Sequence, residues 1–248
     1  DGAGVARLDG MVVFVQGGIR GEACDVRLTH VGRSALWGRV EEVVNPSPAR
    51  IFPRCLHYTK CGGCQFRHMN YAEELEAKRI RVEDALRRLG GAEIHVSAIL
   101  GAEQVDRYRN KAQFPFGKDK DGRIITGFYA GRTHAIIEQE DCLLGVEENQ
   151  PILDCIRGFM KEYHIAPYEE ETHKGLVRHV LIRKGFTTGE LMVCLVLNGD
   201  VKKLKAPEVL VERLVKLFAL APGLDVAGEA GKVPCAGDAV CAETATVD

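Results

Sequence analysis

The sequence has no run approaching roughly 18 consecutive apolar residues, so no membrane-spanning helix is expected. Its start, DGAGVARLDG, lacks the basic and apolar regions of a secretory signal, and lacks an initiator Met. It has little net charge, −2, which excludes a uniformly basic nucleic-acid binder but not a local basic face. Internal repeats and long charge runs are also missing. So is the dense cysteine framework of a short secreted scaffold: nine cysteines are spread over 248 residues. What is present is ordinary globular composition, 46% hydrophobic and 27% charged, in a chain long enough for one large domain or two to three small ones. A cytoplasmic, reducing setting with one metal or cluster site is the expectation, and no membrane partner.

The first 45 residues read as short strands. Met11-Val12-Val13-Phe14-Val15 is apolar and β-branched, and Gln16-Gly17-Gly18 breaks it. Cys24, Val26 and Leu28 alternate with Asp25, Arg27 and Thr29, and residues 36–44 form a further strand. Several strands in so short a segment suggest a small β-barrel of the OB-like class. Asn45-Pro46-Ser47-Pro48 cannot continue a strand and reads as a linker. A helix is predicted over 70–89, with Asn70 as cap, Glu73 completing a capping box, and Gly90-Gly91 as its stop. Its apolar stripe is Tyr71, Leu75, Val82, Leu86 and Leu89. Ile94, Val96 and Ala98 alternate as a strand would. Hairpins are predicted from 112–116 with 124–129, and from 177–184 with 191–197; helices are predicted over 150–164 and 207–220. Residues 221–248 show no clear period.

The sharpest motif is Cys55-x5-Cys61-Gly62-Gly63-Cys64. Thiolates two residues apart can face one centre, with glycines letting the backbone wrap closely and adopt positive φ. Cys142, in the polar context Glu140-Asp141-Cys142, is the choice for a fourth ligand. Zinc is the rival metal, although the second C-x2-C of a zinc ribbon is missing. Cys24, Cys155 and Cys194 sit in apolar patterns and read as core.

The run from Asn45 through Cys55, then Lys60-Cys61-Gly62-Gly63-Cys64-Gln65, resembles the RumA/TrmA-type RNA (uracil-5-)-methyltransferases that carry a TRAM domain and a 4Fe–4S cluster. Gly4-Val5-Ala6-Arg7, Val12-Val13-Phe14-Val15 and Gly21-Glu22 look like the TRAM signature. Arg107-Tyr108-Arg109-Asn110-Lys111, Gly127-Phe128-Tyr129, Arg132-Thr133-His134, Cys142 and Gly175-Leu176-Val177-Arg178-His179 keep the order of that family's central domain. The resemblance covers roughly residues 2–220. It implies an α+β protein: a TRAM-like barrel over 1–48, a cluster-bearing RNA-binding domain over 49–220, and an unassigned tail over 221–248. It also implies a 4Fe–4S cluster on Cys55, Cys61, Cys64 and Cys142. Family members add a Rossmann-like domain that binds S-adenosylmethionine, with a Gly-rich turn, a catalytic Cys and a Glu base. Those motifs are not legible in these 248 residues, and Cys235 and Cys241 do not match the nucleophile. The expectations are therefore that the Rossmann-like methyltransferase domain is absent, that the chain is truncated and inactive alone, and that helix 70–89 packs on the missing domain. No catalytic and no S-adenosylmethionine-binding residue is assigned.

The remaining function is RNA recognition. Between Gln104 and His134 stand seven basic residues against three acidic ones, interleaved with Tyr108, Phe114, Phe116, Phe128 and Tyr129. Basic side chains neutralise phosphates, and exposed aromatics stack on unpaired bases. Arg107, Arg109, Lys111 and Arg132 are the RNA contacts expected here, and Arg7, Arg33 and Trp37 those in the barrel. The substrate is expected to be structured RNA, ribosomal (23S) before transfer RNA. A standalone RNA-binding module with a structural Fe–S or zinc site is the alternative, and an electron-transfer protein ranks last.

Overall fold

A computed structural model describes residues 2–219 and 239–244. The chain divides into two compact units, one of residues 1–59 with 63–103, the other of residues 60–62 with 104–248.

In the first unit, β1 (Ala3–Leu8), β2 (Met11–Gln16), β3 (Ala23–Val31) and β4 (Ala35–Asn45) form a four-stranded sheet in the order β1-β2-β4-β3. The pair β2–β4 is parallel and the other two are antiparallel, so the sheet is mixed. Alternation turns Val13, Val15 and Leu36 to the core side, where Met11, Val26 and Val40 pack on them. Helix α1 (Tyr71–Arg88) follows. Asn70 caps it as expected, its side chain accepting from the Glu73 backbone N–H at 2.9 Å. The other half of the capping box does not form. The Asn70 N–H donates to the Ala49 carbonyl, and the Glu73 carboxylate meets Arg20. Beyond the helix, Gly91 takes a left-handed φ of +63°, which a side chain would resist. None of the α1 side chains is fully buried, and Val82 and Leu89 are exposed.

The alternating segment 94–98 is not a strand. It lies as coil against the helix: the Val96 N–H donates to Glu83 and its carbonyl accepts from Arg79. The helix side chains satisfy the backbone groups that a neighbouring strand would otherwise have to pair.

In the second unit, β5 (Lys111–Lys118), β6 (Ile124–Tyr129), β7 (Ile136–Glu138), β8 (Val177–Lys184), β9 (Leu191–Leu197) and β10 (Ala239–Thr244) join as β10-β9-β8-β5-β6-β7. The two expected hairpins thus form one antiparallel sheet. β5 makes the link, pairing Lys111–Pro115 with β8 and Phe116–Lys118 with β6. Helices α2 (Asn149–Glu162) and α3 (Pro207–Ala219) complete the unit. Ile152, Ile156, Phe159 and Met160 of α2 join Val177, Val180 and Ile182 of β8 in one core, together with Leu210 and Leu214 of α3. Phe114 and Phe116 are also in this core, so two of the aromatics interleaved with the basic residues are packing residues. β10 was not legible in the aperiodic tail. The rest of that tail, including Cys235, lies outside the described residues.

Candidate nucleic-acid interface and cysteine turns

The β2–β3 connection and the linker are tied by one carboxylate. Glu22 accepts from Arg50 Nε at 2.5 Å and Nη2 at 2.6 Å, and from the Ser47 and Ile19 backbone N–H groups. The Glu22 side chain is only 1% exposed. Burial pushes its carboxyl up, but the bonds from Arg50, Ser47 and Ile19 outweigh that and hold it down at about 2. Arg50 also donates to the Gly17 carbonyl at 2.7 Å.

Cys55 and Cys64 belong to this first unit. The Tyr58 N–H donates to the Cys55 carbonyl at 3.2 Å, turning the chain there. The Tyr58 hydroxyl donates to the Gln65 carbonyl and lies 2.6 Å from His68 Nδ1. Burial, with the Cys64 thiol beside it, pushes the Tyr58 hydroxyl up to about 12. Burial and the Arg50 charge push the buried His68 imidazole down.

Cys61 and Cys142 belong to the second unit. Residues 60–62 run along the turn after β6: Cys61 bridges Ala130, the Gly62 N–H donates to Tyr129 and the Gly131 N–H to Lys60. Gly62 has no positive φ, contrary to expectation. It is needed for close approach, since a Cβ there would lie 3.1 Å from Gly131 Cα. Gln139, buried, donates from Nε2 to Cys61 Sγ at 3.4 Å. Cys142 opens a turn closed by the Gly145 N–H on its carbonyl. Arg107 clamps that turn. Its guanidinium donates to both Asp141 oxygens, at 2.7 and 2.5 Å, and to the Cys142 and Gly145 carbonyls. Arg107 therefore serves the Cys142 turn instead of standing free for phosphate.

The four thiols are half-buried and not disulfide-bonded. Among the described residues, no three His, Cys, Asp or Glu side chains gather as a metal site.

Of the other expected RNA contacts, Arg7, Arg33, Lys111 and Arg132 are exposed and Arg109 is half-buried. Trp37 is 38% exposed, with ring centres of Phe14 at 5.9 Å and His30 at 5.1 Å. Sequence reasoning missed Phe14, although its place between the core residues Val13 and Val15 already turns it outward. It also missed Gln139 and Asp141, which act through pairings distant in sequence. Tyr129 lies 3.4 Å from His179 Nε2 and its ring faces His134.

No family model matches the chain. It is 40% identical over 215 residues to an uncharacterized RNA methyltransferase of Clostridium tetani, covering 87% of this chain and 46% of that protein. Another, from Halalkalibacterium halodurans, is 38% identical over 217 residues, covering 87% and 47%. The chain thus spans about half the length of these relatives. In fold it is similar to the crystal structure of Pyrococcus abyssi tRNA (uracil-54, C5)-methyltransferase in complex with S-adenosyl-L-homocysteine. That likeness has a TM-score of 0.58 at 24% identity, over 84% of this chain and 48% of that one. It corrects the expected fold class. With 84% of the chain lying on that methyltransferase structure, the expectation of an absent methyltransferase domain does not hold. That expectation rested on unseen local motifs, and local motifs do not report how a backbone superposes. Across most of its residues, the chain is a relative of proteins named RNA methyltransferases.

Proposed function

We propose that the chain provides RNA recognition in an S-adenosylmethionine-dependent RNA (uracil-C5) methyltransferase. The observation that carries this reading is the 40% identity to a protein named an RNA methyltransferase over 87% of the chain. The fold likeness to an enzyme named for uracil C5 supports the base and the methyl donor. Uracil C5 is weakly nucleophilic; a thiolate adding to C6 would make it an enolate able to take the methyl group of the sulfonium, releasing S-adenosylhomocysteine, and a base removing the C5 proton would then expel the thiolate from C6. The part proposed for this chain is to bind the RNA and orient its target base for that chemistry. Arg7, Arg33, Trp37, Arg109, Lys111 and Arg132 are the proposed RNA contacts. Cys55, Cys61, Cys64 and Cys142 are proposed to hold a 4Fe–4S cluster, a reading that rests on the C-x5-C-x2-C spacing of the first three and on the family resemblance for the cluster and its fourth ligand. Gln139 would then donate a hydrogen bond to one of its sulfurs.

The test is to delete the gene and measure 5-methyluridine in purified ribosomal and transfer RNA by nucleoside mass spectrometry. The expected result is loss of the nucleoside at one position, in ribosomal RNA. Loss in transfer RNA instead would reassign the substrate. Unchanged 5-methyluridine in both would overturn the proposed activity.

A further inference from the structure

The outward face of the first sheet carries three rings in one cross-strand row. Phe14 on β2 is registered with Trp37 on β4, and Trp37 with His30 on β3. Val5 on β1, registered with Phe14 and 69% exposed, extends the row. The pleat explains the display, because Val13, Val15 and Leu36 occupy the opposite, buried face. The central ring is held in place. A Cβ on Gly32 would lie 2.9 Å from Trp37 Cζ3, so the indole rests against the bare β3–β4 turn. The Thr29 hydroxyl donates to the Trp37 carbonyl at 3.2 Å.

Arginines stand on both sides of the row. Arg7 lies two residues along β1 from Val5. Arg39 lies two residues along β4 from Trp37 and is registered with Arg27. Arg33 stands exposed in the β3–β4 turn. The nearby carboxylate of Glu41 is paired with Arg27. A purely apolar partner would gain nothing from flanking guanidiniums. A chain with a phosphate on every unit and a flat ring between phosphates matches both features. A duplex keeps its ring faces stacked inside, so the match is to unpaired nucleotides.

We propose that Phe14, Trp37 and His30 form a stacking platform for two or three consecutive unpaired nucleotides, with Arg7, Arg33 and Arg39 on their phosphates. This deepens the RNA-recognition reading and rests on it.

Trp37 is the one tryptophan of the chain, so its emission reports the platform directly. The experiment titrates the protein with single-stranded oligouridine, with an abasic ribose-phosphate oligomer of equal length, and with a duplex. Quenching by oligouridine well beyond that by the other two is expected. Equal quenching by the abasic oligomer would reduce the face to phosphate attraction and overturn the proposal. In anisotropy with labelled oligouridine, Trp37→Ala should weaken binding about tenfold, while Trp37→Phe should keep most of it. Circular dichroism checks that each variant is folded. Unchanged affinity in a folded Trp37→Ala protein would also overturn the platform. Quenching by an apolar peptide, with none by oligouridine, would assign the face to a protein partner and do the same. If oligouridine stacks but 5-methyluridine survives gene deletion, the methyltransferase reading falls and the platform stands. Loss of 5-methyluridine without quenching gives the reverse.

Discussion

At the scale of single residues, two side chains do more than the sequence advertises. Glu22 is ionised inside the first unit because Arg50 and two backbone N–H groups hold its oxygens. Its folded-state pKa, about 2, is below the ordinary carboxylate value of 4.5. The stability it contributes is present above about 4.5 and is lost as pH falls toward 2, amounting to roughly 2 kcal/mol. Urea unfolding of the native protein should weaken over that window, and the Glu22→Gln protein should show a flatter pH dependence there. Arg107 is the second. It holds a φ of +57°, unfavourable for a side-chain-bearing residue, while its guanidinium clamps the Cys142 turn. Arg107→Ala should cost about 1–2 kcal/mol and speed amide exchange at Gly145, with exchange in α2 little changed. Neither partnership was legible in sequence. Glu22 stood out only within a family-like Gly-Glu pair, and Arg107 read as one more positive charge beside RNA. What decides each is a partner 28 or 34 residues away, which local pattern cannot register.

The secondary elements were easier to read, because their causes are local. The Asn70 cap and the apolar spacing of α1 are written within 20 residues, and the helix starts where the cap says. Asn70→Ala should cost about 1 kcal/mol and fray the first turn, visible as faster exchange there. The 177–184 and 191–197 strands appear within the bounds their apolar alternation predicts. The alternating 94–98 segment failed because side chains of α1 had already taken its backbone groups. The union of two hairpins through β5 was likewise invisible, since strand order is a long-range property. In the core that packs with that sheet, Phe159 of α2 is 0% exposed, and Phe159→Ala should lower unfolding free energy by about 3–5 kcal/mol, read from denaturant midpoints.

For the whole molecule, the candidate site was legible in part. The C-x5-C-x2-C motif announced itself, but the residues around it did not, and the aromatic row emerged only once strands were in register. Protein purified without oxygen should carry about four irons per chain, and Cys142→Ser should lose far more iron than Cys194→Ala. One tightly held zinc instead would assign the thiols to the rival metal. The six-stranded sheet has a consequence for the protein's behaviour in concentrated solution. One of its rims is β7, only three residues long, which offers an incoming chain almost nothing to copy. At the other rim, β10 covers β9, whose sequence LMVCLVL is a continuous apolar run without charge or proline. Peeling β10 away would present seven such residues as an open template for fibrillar self-association. A protein lacking residues 239–244 should therefore assemble into thioflavin-binding aggregates at concentrations where the intact chain scatters no light, and adding Lys at Val193 in that protein should suppress them.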